Sequence, residues 1–186
     1  MILNEAFLKT KIGTAGYKYS VLENKKFEAN KKYDLFISHS YMDKELVEVL
    51  YKMFEESGYE VYIDWKEEKL QNRENVSADT ARILKNRINS CLGLSFIATG
   101  NIVNSKWCPW ELGYADGKKN RAAILPITKE EVYEYNGLEY LGIYPYITYS
   151  KIQNSNIYEF WVHDVKDKNK YTTLKKWLET GELQEH

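Results

Sequence analysis

The sequence predicts one three-layer α/β domain built on a largely parallel sheet. Short apolar runs alternate with stretches of helical periodicity. Connections of about a dozen or more residues separate most of these runs, long enough for crossovers. The runs are nearly all apolar rather than strictly alternating, as expected of strands covered by helices on both faces. At 186 residues the chain has length for one real core and is too short for two ordinary domains.

Taken in order, residues 2–12 read as a short helix with Ile2, Leu3, Phe7 and Leu8 on one side, followed by a turn over 13–20. Residues 1–30 are expected as an N-terminal arm packed on the surface, ahead of a domain over 31–186. YDLFIS (33–38) is the first strand, ended by His39-Ser40. From Asp43 to Ser57, Leu46, Val47, Leu50, Met53 and Phe54 fall at helical spacing, and Gly58 supplies the stop. YEVYIDW (59–65) is a second strand with β-branched Val61 and Ile63. Residues 66–76 are polar and aperiodic, hence a loop.

A helix over 77–88 carries Ala81, Leu84 and Ile88, with Asn75 and Ser77 competing as its cap. LGLSFIA (92–98) is the third strand. Another helix opens at Lys106, since Pro109 is tolerable only in a first turn. Residues 121–127 and 141–149 read as fourth and fifth strands, and 157–164 as a further strand or an extended cover. Tyr171 to Thr180 is the final helix, with Leu174, Trp177 and Leu178 inward.

Composition removes several function classes. Acidic and basic residues number 27 and 26, which leaves no electrostatic case for nucleic-acid binding. Apolar residues make up 44%, against disorder. Cys91 and Cys108 are the only cysteines, so there is neither a disulfide scaffold nor a zinc spacing. No targeting segment and no run of about 18 apolar residues is present, and a soluble cytoplasmic protein is expected. Sixteen Tyr and five Trp suggest a surface that stacks or packs against a partner.

In such a sheet, ligands sit beyond the C-terminal ends of the strands. Ser38-His39-Ser40, Asp64-Trp65, Thr99-Gly100-Asn101 and the start of the helix that opens at Lys106 are therefore the candidates. No dinucleotide fingerprint, P-loop or nucleophile elbow occurs. A phospho-receiver wants an aspartate where this chain has Ala98-Thr99, and three histidines are too few for a metal cluster. What stands out is NSKWCPWELGYADGK (104–118). Trp107 and Glu111 lie four apart, on one helical face. The indole is a flat platform and the carboxylate sits beside it near the helix N-terminus, where backbone N–H groups favour charge. By itself W-x-x-x-E is a weak signal. Trp107 and Trp110 as core anchors, with Glu111 a solvated acid, is the plainer reading of the residues alone.

YDLFISHSYMDK, YEVYIDW with its long polar loop, SKWCPWELGYADG and NGLEYLGIYPYI together resemble the bacterial Toll/interleukin-1 receptor (TIR) domain family, in its stand-alone antiphage-defence, Thoeris-like form. The resemblance implies a flavodoxin-like, five-stranded parallel sheet of order 2-1-3-4-5, flanked by helices. It implies cleavage of the nicotinamide–ribose bond of NAD, with Glu111 as the catalytic glutamate and Trp107 as the motif tryptophan. Phe36, Ser38 and Ser40 then line the same cleft, Asp64 and Trp65 open the loop beside it, and Arg73 or Lys69 meets the pyrophosphate. NAD is the substrate, and no cofactor or metal is called for. The product is ADP-ribose or a cyclic isomer that switches on a separate effector protein. Self-association through the 66–76 loop completes the active site. The competing expectation is a non-enzymatic assembly module. The chemistry suits the residues, because nicotinamide is already a cationic leaving group and needs no general acid. One carboxylate suffices to stabilise the ribosyl cation-like state.

Overall fold

The computed structural model describes residues 1–14, 31–63, 77–135, 137 and 139–186. The sequence-predicted site residues Asp64, Trp65 and Arg73, together with Lys69, Asn75 and the 66–76 loop, lie outside them.

The chain order is β1 (Leu3–Asn4), α1 (Glu5–Thr14), β2 (Tyr33–Ser38), α2 (Lys44–Glu56), β3 (Val61–Tyr62), α3 (Ala78–Asn89) and β4 (Cys91–Ala98). It continues with α4 (Trp107–Lys119), β5 (Ala122–Thr128), β6 (Tyr146–Lys151), β7 (Tyr158–His163), β8 (Lys170–Thr173), α5 (Leu174–Thr180) and β9 (Gln184–Glu185). Short 3-10 turns at Tyr41–Asp43, Ile102–Asn104 and Glu139–Ile143 fill three connections.

An α/β fold with a central sheet and flanking helices is present, but the expected five-stranded parallel sheet is corrected. Among the described residues the sheet has nine strands, in the order β3-β2-β4-β5-β6-β7-β8-β9 with β1 beside β5. Pairing is parallel from β3 through β6 and antiparallel from β6 through β9. Connection length explains the change. The links at 152–157 and 164–169 are too short for a crossover, so the chain can only return as a hairpin.

Local chemistry sets the element ends. Gly58 takes φ +82, which a side chain would resist, and Tyr59 N donates to Phe54 O at 2.9 Å to close α2. Ser77 is the cap that α3 uses, its hydroxyl accepting from Thr80 N at 3.1 Å. The final helix starts later than the periodicity suggests. Tyr171, Thr172 and Thr173 are strand formers paired to β7, and Thr173 then caps α5 by accepting from Lys176 N. Likewise the fifth predicted strand begins only after Pro145, whose carbonyl accepts from Ile124 N at 2.9 Å. Over residues 1–14 the expected surface arm is a strand and a helix that enter the core: Ile2, Leu3 and Leu8 are buried.

Two cores sandwich the sheet. Leu35 and Ile37 of β2 face Val47, Leu50 and Phe54 of α2, Phe160 of β7 and Trp177 of α5. Phe36, between them in sequence, points the other way to Leu84 and Ile88 of α3 and to Trp107 and Leu112 of α4. Among the described residues no helix is long and apolar enough to cross a membrane.

Candidate active site

β2 and β4 are adjacent parallel strands, so their C-terminal ends emerge side by side. The segment from the end of β2 (38–43) and the segment from the end of β4 into α4 (99–111) form the two walls of the candidate site. Glu111 is 5% exposed. Its Oε2 accepts the Ser38 hydroxyl at 2.6 Å across a sequence separation of 73 residues. That is the length of a charge-assisted O–H···O bond. The solvated-acid reading of Glu111 therefore fails: the carboxylate is turned inward to the end of β2. Glu111 lies in the second turn of α4, past the reach of most of the helix-end field, so Ser38 is the nearer source of polarity.

Trp107 is buried, on the α3/α4-side core with Phe36 and Tyr62. It meets Trp110 edge to face at 5.5 Å, and Trp110 stacks on Tyr114 at 5.6 Å. The Trp107 indole N–H has no hydrogen-bond partner among the described residues. Phe36 is 1% exposed and packs on Tyr62 at 5.6 Å, a wall built from behind. Ser40 is buried and caps the turn at Tyr41–Asp43, accepting from Met42 N at 3.4 Å. Tyr41 and Met42 stand exposed on that turn.

His39 is buried, its Nδ1 at 3.2 Å from Ile37 O, and its own carbonyl accepts the Cys108 thiol at 3.1 Å. Ser105 shapes the entry to α4, where Lys106 at the cap position makes no side-chain capping bond; the Ser105 hydroxyl accepts from Cys108 N at 3.2 Å. Burial pushes the Cys91 thiol up to about 12, which keeps it protonated at neutral pH.

Sequence reasoning missed one part of this construction. Asp43, which the sequence marks only as the start of the helical stretch to Ser57, is 2% exposed. It bonds Thr99 at 2.6 Å and Asn101 at 2.7 Å. The available signal was a joint one: Asp43 just past the end of one strand and two polar side chains just past the end of its neighbour. Among the described residues no group of three or more His, Cys, Asp or Glu is placed to hold a metal ion.

W-x-x-x-E on the helix after β4 belongs to the stretch whose sequence resembles the TIR domain family. The chain belongs to that family, whose TIR-domain model matches residues 35–159. Within it, the chain is 44% identical over 156 residues to a Bacillus cereus (strain MSX-D12) protein described as "Probable 3' cyclic ADP-D-ribose synthase ThsB'", covering 83% of this chain and 80% of that one. It is 31% identical over 120 residues to the "Putative cyclic ADP-D-ribose synthase TIR2" of Cytobacillus dafuensis, covering 64% of this chain and 32% of that longer protein.

Proposed function

We propose that this chain cleaves the nicotinamide–ribose bond of NAD and joins the released ADP-ribosyl group to one of its own hydroxyls, giving a cyclic ADP-ribose. Both relatives carry descriptions as cyclic ADP-D-ribose synthases. The observation that carries the reading is the inward-facing Glu111 carboxylate, held by Ser38 at 2.6 Å beside the strand ends.

The bond between the pyridinium nitrogen and the ribose anomeric carbon breaks, and its electron pair leaves with nicotinamide, which becomes neutral. Positive charge moves to the anomeric carbon and ring oxygen. Glu111, already desolvated and fixed, stabilises that charge without reorganising. An internal hydroxyl then attacks and loses its proton; water attacking instead would give linear ADP-ribose. Trp107 backs the helix face that carries Glu111, with its indole N–H buried and without a hydrogen-bond partner among the described residues.

Ser40 and Phe36 complete this wall, and Asp64, Trp65 and Arg73 contribute further contacts to NAD. Copies of the chain associate through the 66–76 loop, so specific activity rises with protein concentration. The product acts on a separate effector protein in the cytoplasm, as an antiphage signal.

The test is Glu111→Gln, assayed for nicotinamide release and thermal unfolding on one preparation. Loss of the charge should cost about 3–4 kcal/mol of transition-state stabilisation, a fall of roughly a hundredfold to a thousandfold. Melting should hold or rise, because an amide is cheaper to bury than a carboxylate. Near-wild-type nicotinamide release by the variant would defeat the assignment.

A further inference from the structure

We infer that Asp43 is a positioning residue for Glu111, an inference that rests on the NAD-cleaving reading above. Asp43 ends the turn after β2 and immediately precedes α2, where an aspartate ordinarily caps the helix. Here it makes no side-chain bond to α2. Both oxygens point across to the neighbouring strand end instead. Oδ2 accepts the Thr99 hydroxyl at 2.6 Å, and Oδ1 accepts the Asn101 amide at 2.7 Å. The Thr99 oxygen accepts Asn101 N at 3.1 Å in turn. A carboxylate that is 2% exposed and bonded only by neutral donors among the described residues is expensive to bury. What it supplies is geometry.

That geometry leads to Glu111. The wall 38–43 is stitched to the wall 99–111 by Asp43 to Thr99 and Asn101, by the Cys108 thiol to His39 O, and by Ser38 to Glu111. Between Asn101 and α4 the chain has little freedom. It passes through the turn Ile102–Asn104 and the Ser105 hydroxyl that receives Cys108 N. Fixing Thr99 and Asn101 therefore fixes where α4 begins, and Trp107 and Glu111 ride on its first two turns. A displacement of about 1 Å at a reacting group can cost roughly a hundredfold in rate.

The decisive comparison is Asp43→Ala against Asp43→Asn in the full chain, read by two probes. The first is the alkylation rate of Cys108 by iodoacetamide, followed by peptide mass spectrometry, with buried Cys91 as internal control. The second is nicotinamide release from NAD, with kcat and KM separated. Asp43→Ala should speed labelling of Cys108 by about tenfold or more and leave Cys91 unchanged, while kcat falls at least about tenfold and KM stays within about threefold. Asn keeps one acceptor for Asn101 and can donate to Thr99, so it should restore most of both properties relative to Ala. Asn101→Ala removes one bridge from the other wall and should give the same pattern more weakly, which covers poor folding of the Ala variant.

Equal acceleration at both cysteines would make Asp43 a general stability residue and overturn the proposal. So would unchanged Cys108 labelling, or an Asn variant as inactive as Ala with Cys108 still protected, since that would mean the charge itself acts on substrate. If the wild-type protein released no nicotinamide, the NAD reading would fail on its own, and the two labelling rates would still decide the positioning.

Discussion

Ser38→Ala tests whether the bond to Glu111 serves catalysis or only the fold. The substitution deletes a hydroxyl that is 1% exposed and donates to Glu111 Oε2 at 2.6 Å; the methyl that remains fits the same space. A hydrogen bond to a charged group contributes about 1.5–3 kcal/mol. If all of it holds the carboxylate in its reacting position, kcat drops by roughly tenfold to 150-fold, at about 1.36 kcal/mol per tenfold. If the bond is equally strong in ground and transition states, the loss goes entirely into stability and kcat is untouched. In that limit the same energy lowers the melting temperature by about 3–12 °C, taking roughly 2–4 °C per kcal/mol for a domain of this size. Nicotinamide release at saturating NAD, paired with thermal unfolding followed by circular dichroism, separates the two. The expected result is a kcat loss within that range and a melting shift of a few degrees. A kcat within twofold of wild type beside a clearly lowered melting temperature would refute the argument that Ser38 places the Glu111 carboxylate for the proposed reaction.

Two further outcomes follow from packing and burial. Phe160 is fully buried in β7 and stacks on Phe54 of α2 at 4.2 Å. Phe160→Ala should cost about 3–5 kcal/mol in urea unfolding, and a cost under about 1 kcal/mol would mean that the antiparallel extension is peripheral. His163 is held down to about 4 by burial and then by the N-terminal ammonium, below its unfolded value of about 6.5. Its folded form is thus neutral where the unfolded chain takes up a proton. The stability it confers is complete above about pH 6.5 and is lost as pH falls toward 4. His163→Phe keeps a ring between Tyr146 and Tyr171 and should flatten the melting-temperature decline across that window; identical slopes in the two proteins would sink the assignment.

The parts of the fold that could be read from the sequence are those whose signal is local. The apolar run at 33–38, the periodicity of Leu46 to Phe54 and the stop at Gly58 each report their own backbone. The antiparallel extension could not be read that way. Residues 158–163 mix Tyr, Glu, Phe, Trp, Val and His, and whether they pair or merely cover is decided by β6 on one side and β8 on the other. Tyr171–Thr173 were drawn into the following helix by its periodicity, because strand propensity depends on the neighbour a strand finds. The site divides the same way. Trp107 and Glu111 are legible together because one helical turn relates them. Ser38 with Glu111 and Asp43 with Thr99, 73 and 56 residues apart, meet only because β2 and β4 are neighbours in the sheet.

That separation also says how the fold bears the cost of its site. Glu111 and Asp43 are buried carboxylates at the edge where the strands end, and burial of each opposes folding. The compensation lies elsewhere in the molecule. Phe160 of the extension stacks on Phe54, and Tyr59 meets both rings edge to face, which pins α2 against the sheet. α2 begins directly after Asp43, so the helix anchored by this aromatic group is the one whose start carries the wall 38–43. Extending the sheet beyond β6 thus adds apolar packing on the side away from Trp107 and Glu111 while leaving the strand ends polar. A purely parallel sheet ending at β6 would have to support the same two buried carboxylates without β7 and its Phe160 against α2.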